Sequence, residues 1–384
     1  MTKNQLRPAA SAFLMMLTIS LITTGLSFFV APVCEELGFG RGSFTLYYSL
    51  MVATGAVAIS VLGGYMNRKG VKGISLISAV WVFACLFGFS LTSNLLVFYA
   101  LGAIMGFFGS SCIYLCANLI VQKSYSSEGA SAVLGVVMAG SGIGGVLWSN
   151  VVPRVLDAMG WRMGYRILGF LWMILILLSI LVLGKEKQMD FAAGAGHHAD
   201  GSSKKETMRS GKFILAVTLM CIITVCTCIS QQLPSLLNGM GFDAGQVGVM
   251  ISVMTGASAI GMVMEGMLCS RFGVRRIFPG FLVGYAVGFL MLMSRGLVYP
   301  ALVLLAFGGG TFSTLMPVLV RQAFGGRDYA ALWSVILTFS SIASFIATPV
   351  WGMIYDMFGS YAPALLTMPV LLVLGLGCMK KIFK

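Results

Sequence analysis

The sequence has little charge and few polar stretches. Only 10% of its 384 residues are Asp, Glu, Lys or Arg, whereas 58% are hydrophobic. Soluble domains carry about 25% charged residues, because a folded surface in water has to be hydrated. A chain of this composition cannot cover a water-exposed surface of its size. The sequence therefore excludes a soluble globular protein and indicates an integral membrane protein.

Several functional signatures are also missing from the sequence. It contains no Walker loop for nucleotide phosphates, no zinc signature and no nucleophile elbow. The nine cysteines show no metal-site spacing, and no selectivity filter or ring of charges typical of a channel is visible. We therefore expect neither an enzyme nor a channel, and neither a metal nor a cofactor.

Long apolar segments follow one another along the whole chain. About 20 apolar residues cross the hydrocarbon core as a helix, and the alternation typical of barrel strands is absent. The sequence therefore predicts an all-α membrane protein with twelve transmembrane helices. We place them at 9–33, 44–65, 74–92, 95–121, 131–152, 163–184, 212–236, 246–268, 277–294, 298–320, 330–353 and 362–379.

The basic residues are distributed asymmetrically between these helices. If both termini face the cytoplasm, 20 of the 25 Lys and Arg residues lie on the cytoplasmic side, as the positive-inside rule expects. The outer loops keep Arg41, Arg154, Arg162, Arg166 and Arg295. We expect a multi-pass protein of the cytoplasmic membrane with both termini inside. No basic stripe interleaved with aromatic residues indicates nucleic-acid binding.

Two short patterns occur twice. Gly63 and Arg68 are repeated 203 positions later as Gly266 and Arg271, and Gly38 returns with the same offset as Gly241. The Asp157–Arg162 stretch returns 199 positions later as Asp356–Tyr361. The chain thus contains two copies of a six-helix unit. We predict bundles at 1–184 and 212–384, joined by a polar cytoplasmic linker at 185–211.

The repeated loops resemble the gate motif of the major facilitator superfamily, G-x-x-x-D-R-x-G-x-[RK]. The family's Asp is replaced by Asn67 in the first copy and by Ser270 in the second. The resemblance implies two pseudo-symmetric bundles that open a central cavity to one side of the membrane at a time. It also implies gate or coupling roles, for which the candidates are Gly63, Asn67, Arg68, Glu265, Gly266 and Arg271.

A narrower resemblance concerns the stretches VQKSYSSEGASAVLGVVMAGSGIGG from Val121 and GWRMGYRILG from Gly160. They are similar to the monocarboxylate transporter and oxalate:formate antiporter branches. This resemblance implies a monocarboxylate or dicarboxylate moved by uniport, proton symport or exchange. Those branches carry a helix-8 arginine for the carboxylate, but Met262 stands here. Export of a neutral or amphiphilic compound is therefore an alternative, and a transporter-like sensor is the alternative without transport.

Polar residues recur at helical spacing on the helices that line the central cavity in this superfamily, principally helices 1, 4, 7 and 10, and also on helix 11. On helix 4 they form one continuous face, and a face of this kind in lipid points towards other helices. The substrate-binding candidates are Tyr114, Asn118, Gln231, Gln232, Thr311 and Thr338. The alternative is hydrogen bonding within or between helices, which is common for Ser and Thr.

Glu265 is the one acid placed well inside a predicted span, and such residues are costly in lipid and often functional. We weigh two interpretations: an ion pair at the gate with a cation such as Arg68, or a carboxyl group that changes protonation during transport. The expected partners are a small-molecule substrate, a proton or counter-substrate, and the lipid bilayer. A monomer is expected to suffice.

Overall fold

The computed structural model describes residues 3–69, 71–124, 127–184, 210–324 and 329–383. The prediction of an all-α membrane protein is confirmed, and three short 3-10 helices connect some of the α-helices. The α-helices are α1 Lys3–Thr23, α2 Val30–Leu37, α3 Arg41–Lys69, α4 Lys72–Leu91, α5 Leu95–Phe108, α6 Ser110–Ser124, α7 Ser127–Leu183, α8 Gly211–Thr227, α9 Leu233–Gly239, α10 Ala244–Phe272, α11 Val274–Met291, α12 Val298–Gly310, α13 Leu315–Phe324, α14 Tyr329–Phe358 and α15 Ala362–Ile382.

These helices make twelve passes. Ten stretches of the described chain are long and apolar enough to cross a membrane. One of them, Val136–Leu183, has 48 residues, enough for two passes. Gly160 interrupts it with a φ of 74°, which separates the fifth pass from the sixth. The 29-residue helix α3 is long enough for the remaining pass.

Four of the passes are broken helices. A 3-10 segment separates α1 from α2, and another separates α8 from α9. The fourth pass breaks between α5 and α6 at Gly109, and the tenth breaks between α12 and α13. These are passes 1, 4, 7 and 10, the set for which the sequence resemblance implied a place beside the central cavity. Broken passes are tolerated in membranes where they face protein or a cavity.

The contacts of the described residues divide the chain into two compact units. The first is Met1–Gly194 with Leu237–Ser252, and the second is Ala195–Leu236 with Val253–Lys384. The predicted linker lies almost wholly outside the described residues, so the boundaries at 184 and 212 remain a prediction.

Small residues hold the helices of the first unit together. Helix α1 packs along α7, and α3 packs against α5. A Cβ at Gly140 would lie 2.8 Å from the Phe13 carbonyl oxygen, and one at Gly144 would lie 2.6 Å from the Leu17 carbonyl oxygen. Lipid gives no hydrophobic force between helices, so this close backbone contact supplies the attraction.

The second unit repeats features of the first. Trp148 donates its indole N–H to the Leu17 carbonyl at 2.9 Å, and Trp351 donates to the Val225 carbonyl at 2.9 Å. Each tryptophan thus ties a later helix of its unit to the first helix of that unit. The glycines of the repeated sequence patterns also match along the chain, because Gly38, Gly160, Gly241 and Gly359 all have φ between 64° and 84°, although the contacts place Gly241 in the first unit. A positive φ is easy only for glycine, which explains why these positions recur.

Candidate functional site

A cavity of about 170 Å³ lies within the second unit. It is bordered by the segment from α8 to α9 and by α10, α11 and α12. Its described lining residues are Thr227, Ile229, Ser230, Leu233, Met254, Ser258, Tyr285, Phe289, Leu305, Ala306 and Gly309. None of these side chains carries a formal charge at neutral pH. Three hydroxyl groups from Thr and Ser stand among apolar and aromatic side chains.

Two aromatic rings form the inner wall of this cavity. Tyr285 and Phe289 are one helical turn apart on α11, and their ring centroids lie 4.8 Å from each other. Both residues are almost completely buried, whereas Ser230, another lining residue, is exposed. The lining thus combines apolar and aromatic side chains with a few hydroxyl groups, a surface suited to a ring or a branched carbon chain.

Three consecutive glycines at the end of α12 have three different surroundings. A Cβ at Gly308 would overlap the Tyr285 side chain, whereas Gly309 lines the cavity and has no neighbouring atom within 4 Å of a Cβ among the described residues. Gly310 faces the Glu265 carboxyl group, 3.1 Å from Oε1 to the position of a Cβ. This glycine run lets α12 lie close to α10 and α11 just before the tenth pass breaks.

Glu265 on α10 is fully buried, with 0% of its surface exposed. The Thr314 hydroxyl lies near the carboxyl group, and Cys269 lies one turn further along α10. Neither carboxyl oxygen has a hydrogen-bond partner among the residues that the structure describes. The side chain of Arg68, the predicted ion-pair partner, lies outside that part of the chain. A buried carboxyl group without a partner is costly, so its presence in the second unit is a functional indication.

The six predicted substrate-binding residues fall outside the lining of the cavity. Tyr114 is 45% exposed, and Asn118 donates to the Tyr114 carbonyl at 2.9 Å. Gln232 is fully buried and accepts a hydrogen bond from the Tyr361 hydroxyl at 3.0 Å. Thr311 donates to the Gly308 carbonyl at 2.6 Å. These contacts are of the structural kind that the sequence analysis kept as its alternative.

Gln231 and Thr338 complete the set. Gln231 ends the 3-10 helix between α8 and α9 and is half-buried, whereas Thr338 is exposed on α14. Gln231 directly follows Ser230 of the cavity, and Thr311 comes two residues after Gly309. Both residues are therefore neighbours in sequence of residues that line the cavity, and their role in substrate binding stays a prediction.

The predicted gate residues are only partly described. Gly63, Asn67 and Arg68 belong to the last turns of α3, but their side chains lie outside the described residues. Gly266 and Arg271 are both exposed on α10. No described atom lies within 4 Å of a Cβ placed at Gly266, so close helix contact is not found at that glycine. Arg271 lies 5.4 Å above the ring of its neighbour Phe272.

The sequence analysis missed the aromatic and methionine side chains of the cavity. It considered polar residues on passes 1, 4, 7, 10 and 11, whereas Met254 lies on pass 8 and Tyr285 and Phe289 lie on pass 9. In so apolar a sequence, the residue type alone does not distinguish an aromatic side chain that lines a cavity from one that faces lipid. Two features of the sequence could have indicated these residues. Tyr285 and Phe289 are spaced by one helical turn, and pass 10 carries a run of three glycines.

Similarity to known proteins identifies the family. A sequence profile of the Major Facilitator Superfamily matches residues 9–264 and 215–383, which together span most of the chain. The chain belongs to the Major Facilitator Superfamily. It is a membrane protein of the secondary-transporter type, and members of this family are transporters and not enzymes.

Curated relatives within the superfamily have modest identity. The agnestins efflux protein AgnL12 of Paecilomyces divaricatus is 26% identical over 295 residues, which cover 73% of this chain and 64% of that protein. The multidrug resistance protein MdtL of Shewanella oneidensis is 21% identical over 269 residues, with 69% of this chain and 67% of that protein covered. The matches thus span about two thirds of the length of these relatives.

Solved structures share the fold at lower identity. A mutant of the nucleoside transporter NupG superposes with a TM-score of 0.82 at 16% identity, with 99% of this chain and 100% of that chain covered. A D-xylose–proton symporter gives a TM-score of 0.77 at 13% identity, with 99% and 97% covered. At these identities the likeness shows the Major Facilitator fold alone.

Proposed function

We propose that this chain moves a small, neutral or amphiphilic organic solute across the membrane by alternating access, and that export is its direction. The cavity of the second unit carries this proposal. Its wall combines the hydroxyl groups of Thr227, Ser230 and Ser258 with the rings of Tyr285 and Phe289. No described lining residue offers a cation to a carboxylate or an acid to a cationic drug.

The energetics of the wall favour an uncharged group. A charged group brought into this space would lose its hydration and find only hydroxyl partners in return, which is costly. An apolar or aromatic group would gain free energy from leaving water, at about 25 cal/mol per Å² of buried apolar area. Two curated relatives have efflux and multidrug resistance in their names, which supports the exporter.

Transport of a small organic anion is the second candidate. It is favoured by the stretches from Val121 and Gly160 that are similar to the monocarboxylate and oxalate:formate branches. Met262 occupies the position of the expected arginine and is 41% exposed on α10. An anion would then need a different cation as its partner, for which the gate candidates Arg68 and Arg271 are proposed.

Glu265 is the proposed coupling residue. In this proposal its carboxyl group takes up and releases a proton as the tenth pass moves against α10. The movement of protons across the membrane then drives transport of the solute. Its burial, its lack of a described hydrogen-bond partner and its contact with Gly310 support this role. A structural ion pair with Arg68 is the competing interpretation.

The membrane arrangement is also part of the proposal. Two six-helix halves, 1–184 and 212–384, are joined by the linker 185–211 with both termini in the cytoplasm, and the protein works as a monomer in the cytoplasmic membrane. The excess of Lys and Arg on one side supports this orientation. The gate residues Gly63, Asn67 and Gly266 would then lie on the cytoplasmic side, together with Arg271.

A ligand screen followed by transport in proteoliposomes tests the function. Thermal shifts of the purified protein are measured with neutral amphiphiles, sugars and carboxylates, and stabilising compounds are then tested for transport. We expect stabilisation by neutral amphiphiles that is lost when Phe289 is changed to Ala. Stabilisation and uptake confined to carboxylates would establish the organic-anion candidate instead. Binding without transport of any stabilising compound would favour a sensor.

A further inference from the structure

Two arginines near the break between passes 5 and 6 contact the end of pass 3. Arg162 and Arg166 lie one turn apart on α7. Arg166 donates its Nε–H to the Ser90 hydroxyl at 3.0 Å and stacks over the Phe87 ring at 5.5 Å. Arg162 donates to the Ser90 carbonyl at 3.3 Å and to the Ser93 hydroxyl at 3.1 Å. The two guanidinium groups are thus held at one place between α4 and α7.

The charges of this cluster do not cancel. Glu36 accepts from the Trp161 indole at 2.6 Å and lies 3.4 Å from Arg162. Arg166 forms no ion pair with a described carboxylate, and its only described hydrogen bond uses Nε. The terminal N–H groups of Arg166 therefore remain available, and the cluster of Glu36, Arg162 and Arg166 keeps one net positive charge. An arginine with free terminal N–H groups is a strong partner for phosphate.

An apolar surface continues from the arginines along both helices. On α7, Phe170 and Ile174 follow Arg166 at intervals of one turn and are 47% and 55% exposed. On α4, Phe87 and Val80 are 36% and 61% exposed. The rings of Phe83 and Phe170 meet edge to face with centroids 5.0 Å apart, which closes the floor between the two helices. The result is a shallow apolar groove with a cationic end.

We infer that this groove binds a membrane phospholipid with an anionic headgroup. The phosphate of the lipid binds to the Arg166 guanidinium group with Arg162 beside it, and an acyl chain packs along Phe170 and Ile174. The twelve-residue interval from Arg162 to Ile174 corresponds to roughly 18 Å of helix, similar to half of the hydrocarbon core. An anionic headgroup neutralises the charge of the cluster, whereas the ammonium of a zwitterionic headgroup would oppose it.

Native mass spectrometry of the purified full chain tests this site with dioleoylphosphatidylglycerol as the probe. We expect Arg166→Gln to lower lipid occupancy about tenfold, the scale of a lost charge-assisted hydrogen bond. Arg166→Lys should keep most of the occupancy, and Arg154→Gln, an exposed arginine on the same helix, should keep all of it. Equal loss in the Arg154 and Arg166 variants would overturn the inference. Displacement of the lipid by an equal concentration of inorganic phosphate would show a free-anion site and would also overturn it.

A second experiment keeps both arginines in place and reads the lipid directly at the groove. A photo-crosslinking residue, p-benzoylphenylalanine, replaces Phe170 in the groove or Ile260, which is 62% exposed on α10. The protein is reconstituted with phosphatidylglycerol and phosphatidylcholine of the same acyl chains. We expect the ratio of crosslinked phosphatidylglycerol to phosphatidylcholine to be several-fold higher at Phe170 than at Ile260. The same ratio at both positions would refute an anionic-lipid site.

Discussion

The carboxyl group of Glu265 lies against the backbone of Gly310, so closely that a Cβ at Gly310 would be 3.1 Å from Oε1 and 3.2 Å from Oε2. Gly310 is the last residue of α12, where the tenth pass breaks. The contact thus joins the one buried acid among the described residues to the end of a broken helix. A change in the charge of Glu265 would act directly on the part of pass 10 that borders the cavity.

Replacing Glu265 by Gln should remove the pH dependence of transport. The amide has nearly the shape of the carboxyl group and cannot ionise, so proton coupling would be lost while the fold is kept. Transport rates in proteoliposomes between pH 5 and pH 8 measure this. The matched control is Glu35→Gln, because the Glu35 side chain is 72% exposed. Its one described ion pair, with Arg41, has a nitrogen–oxygen distance of 3.8 Å. A variant of Glu265 with the wild-type pH profile would leave the carboxyl group a structural role.

Gly310→Ala should lower stability through its contact with Glu265. A methyl group 3.1–3.3 Å from the carboxyl atoms forces that side chain to shift, at a cost of about 1 kcal/mol or more. Thermal unfolding in detergent measures the loss. In a Glu265→Ala background the same change should cost much less, because the methyl group then has room. An equal cost in both backgrounds would mean that Gly310 is constrained by something other than Glu265.

Gly309→Leu should block the cavity without destabilising the fold. Gly309 lines the cavity, and no described atom lies within 4 Å of a Cβ at this position, so the new side chain would occupy the space left for a solute. We expect transport to fall at least tenfold with little change in melting temperature. Gly280→Leu is the control, since Gly280 is an exposed helical glycine with equally open surroundings outside the cavity. Full transport by the Gly309 variant would exclude this cavity from the solute path.

A crosslink between Ser149 and Ser252 should arrest transport. Their hydroxyl oxygens are 2.7 Å apart, and Ser252 also donates to the Gly248 carbonyl at 2.8 Å. Ser149 lies in the proposed half 1–184 and Ser252 in the proposed half 212–384, so we expect alternating access to open this contact between α7 and α10 once per turnover. The double variant Ser149→Cys with Ser252→Cys should lose transport on oxidation and regain it with a reductant. The two single variants control for the nine native cysteines. Transport that continues after complete crosslinking would show that this contact stays closed throughout the cycle.

The repeat can be recognised from the sequence, because several of its markers are glycines with special backbone requirements. Gly38 and Gly241 share a positive φ, as do Gly160 and Gly359, and no other residue type adopts that conformation cheaply. The polar candidates were less predictable. Gln231 and Gln232 are equally good substrate-binding candidates in the sequence. The burial of Gln232 and its hydrogen bond with Tyr361, however, depend on a residue 129 positions away.

The sequence by itself determined the class of the protein, the twelve passes and their twofold repeat. The bilayer imposes these features segment by segment, since each span must be apolar and must satisfy its own backbone hydrogen bonds. Only the tertiary structure decided which side chains meet: that Tyr285 and Phe289 face a cavity, that Glu265 lies on Gly310, and that Arg166 has no described acid beside it. These contacts depend on the rotation of each helix about its axis and on the close approach that its glycines permit, and neither is visible in hydropathy.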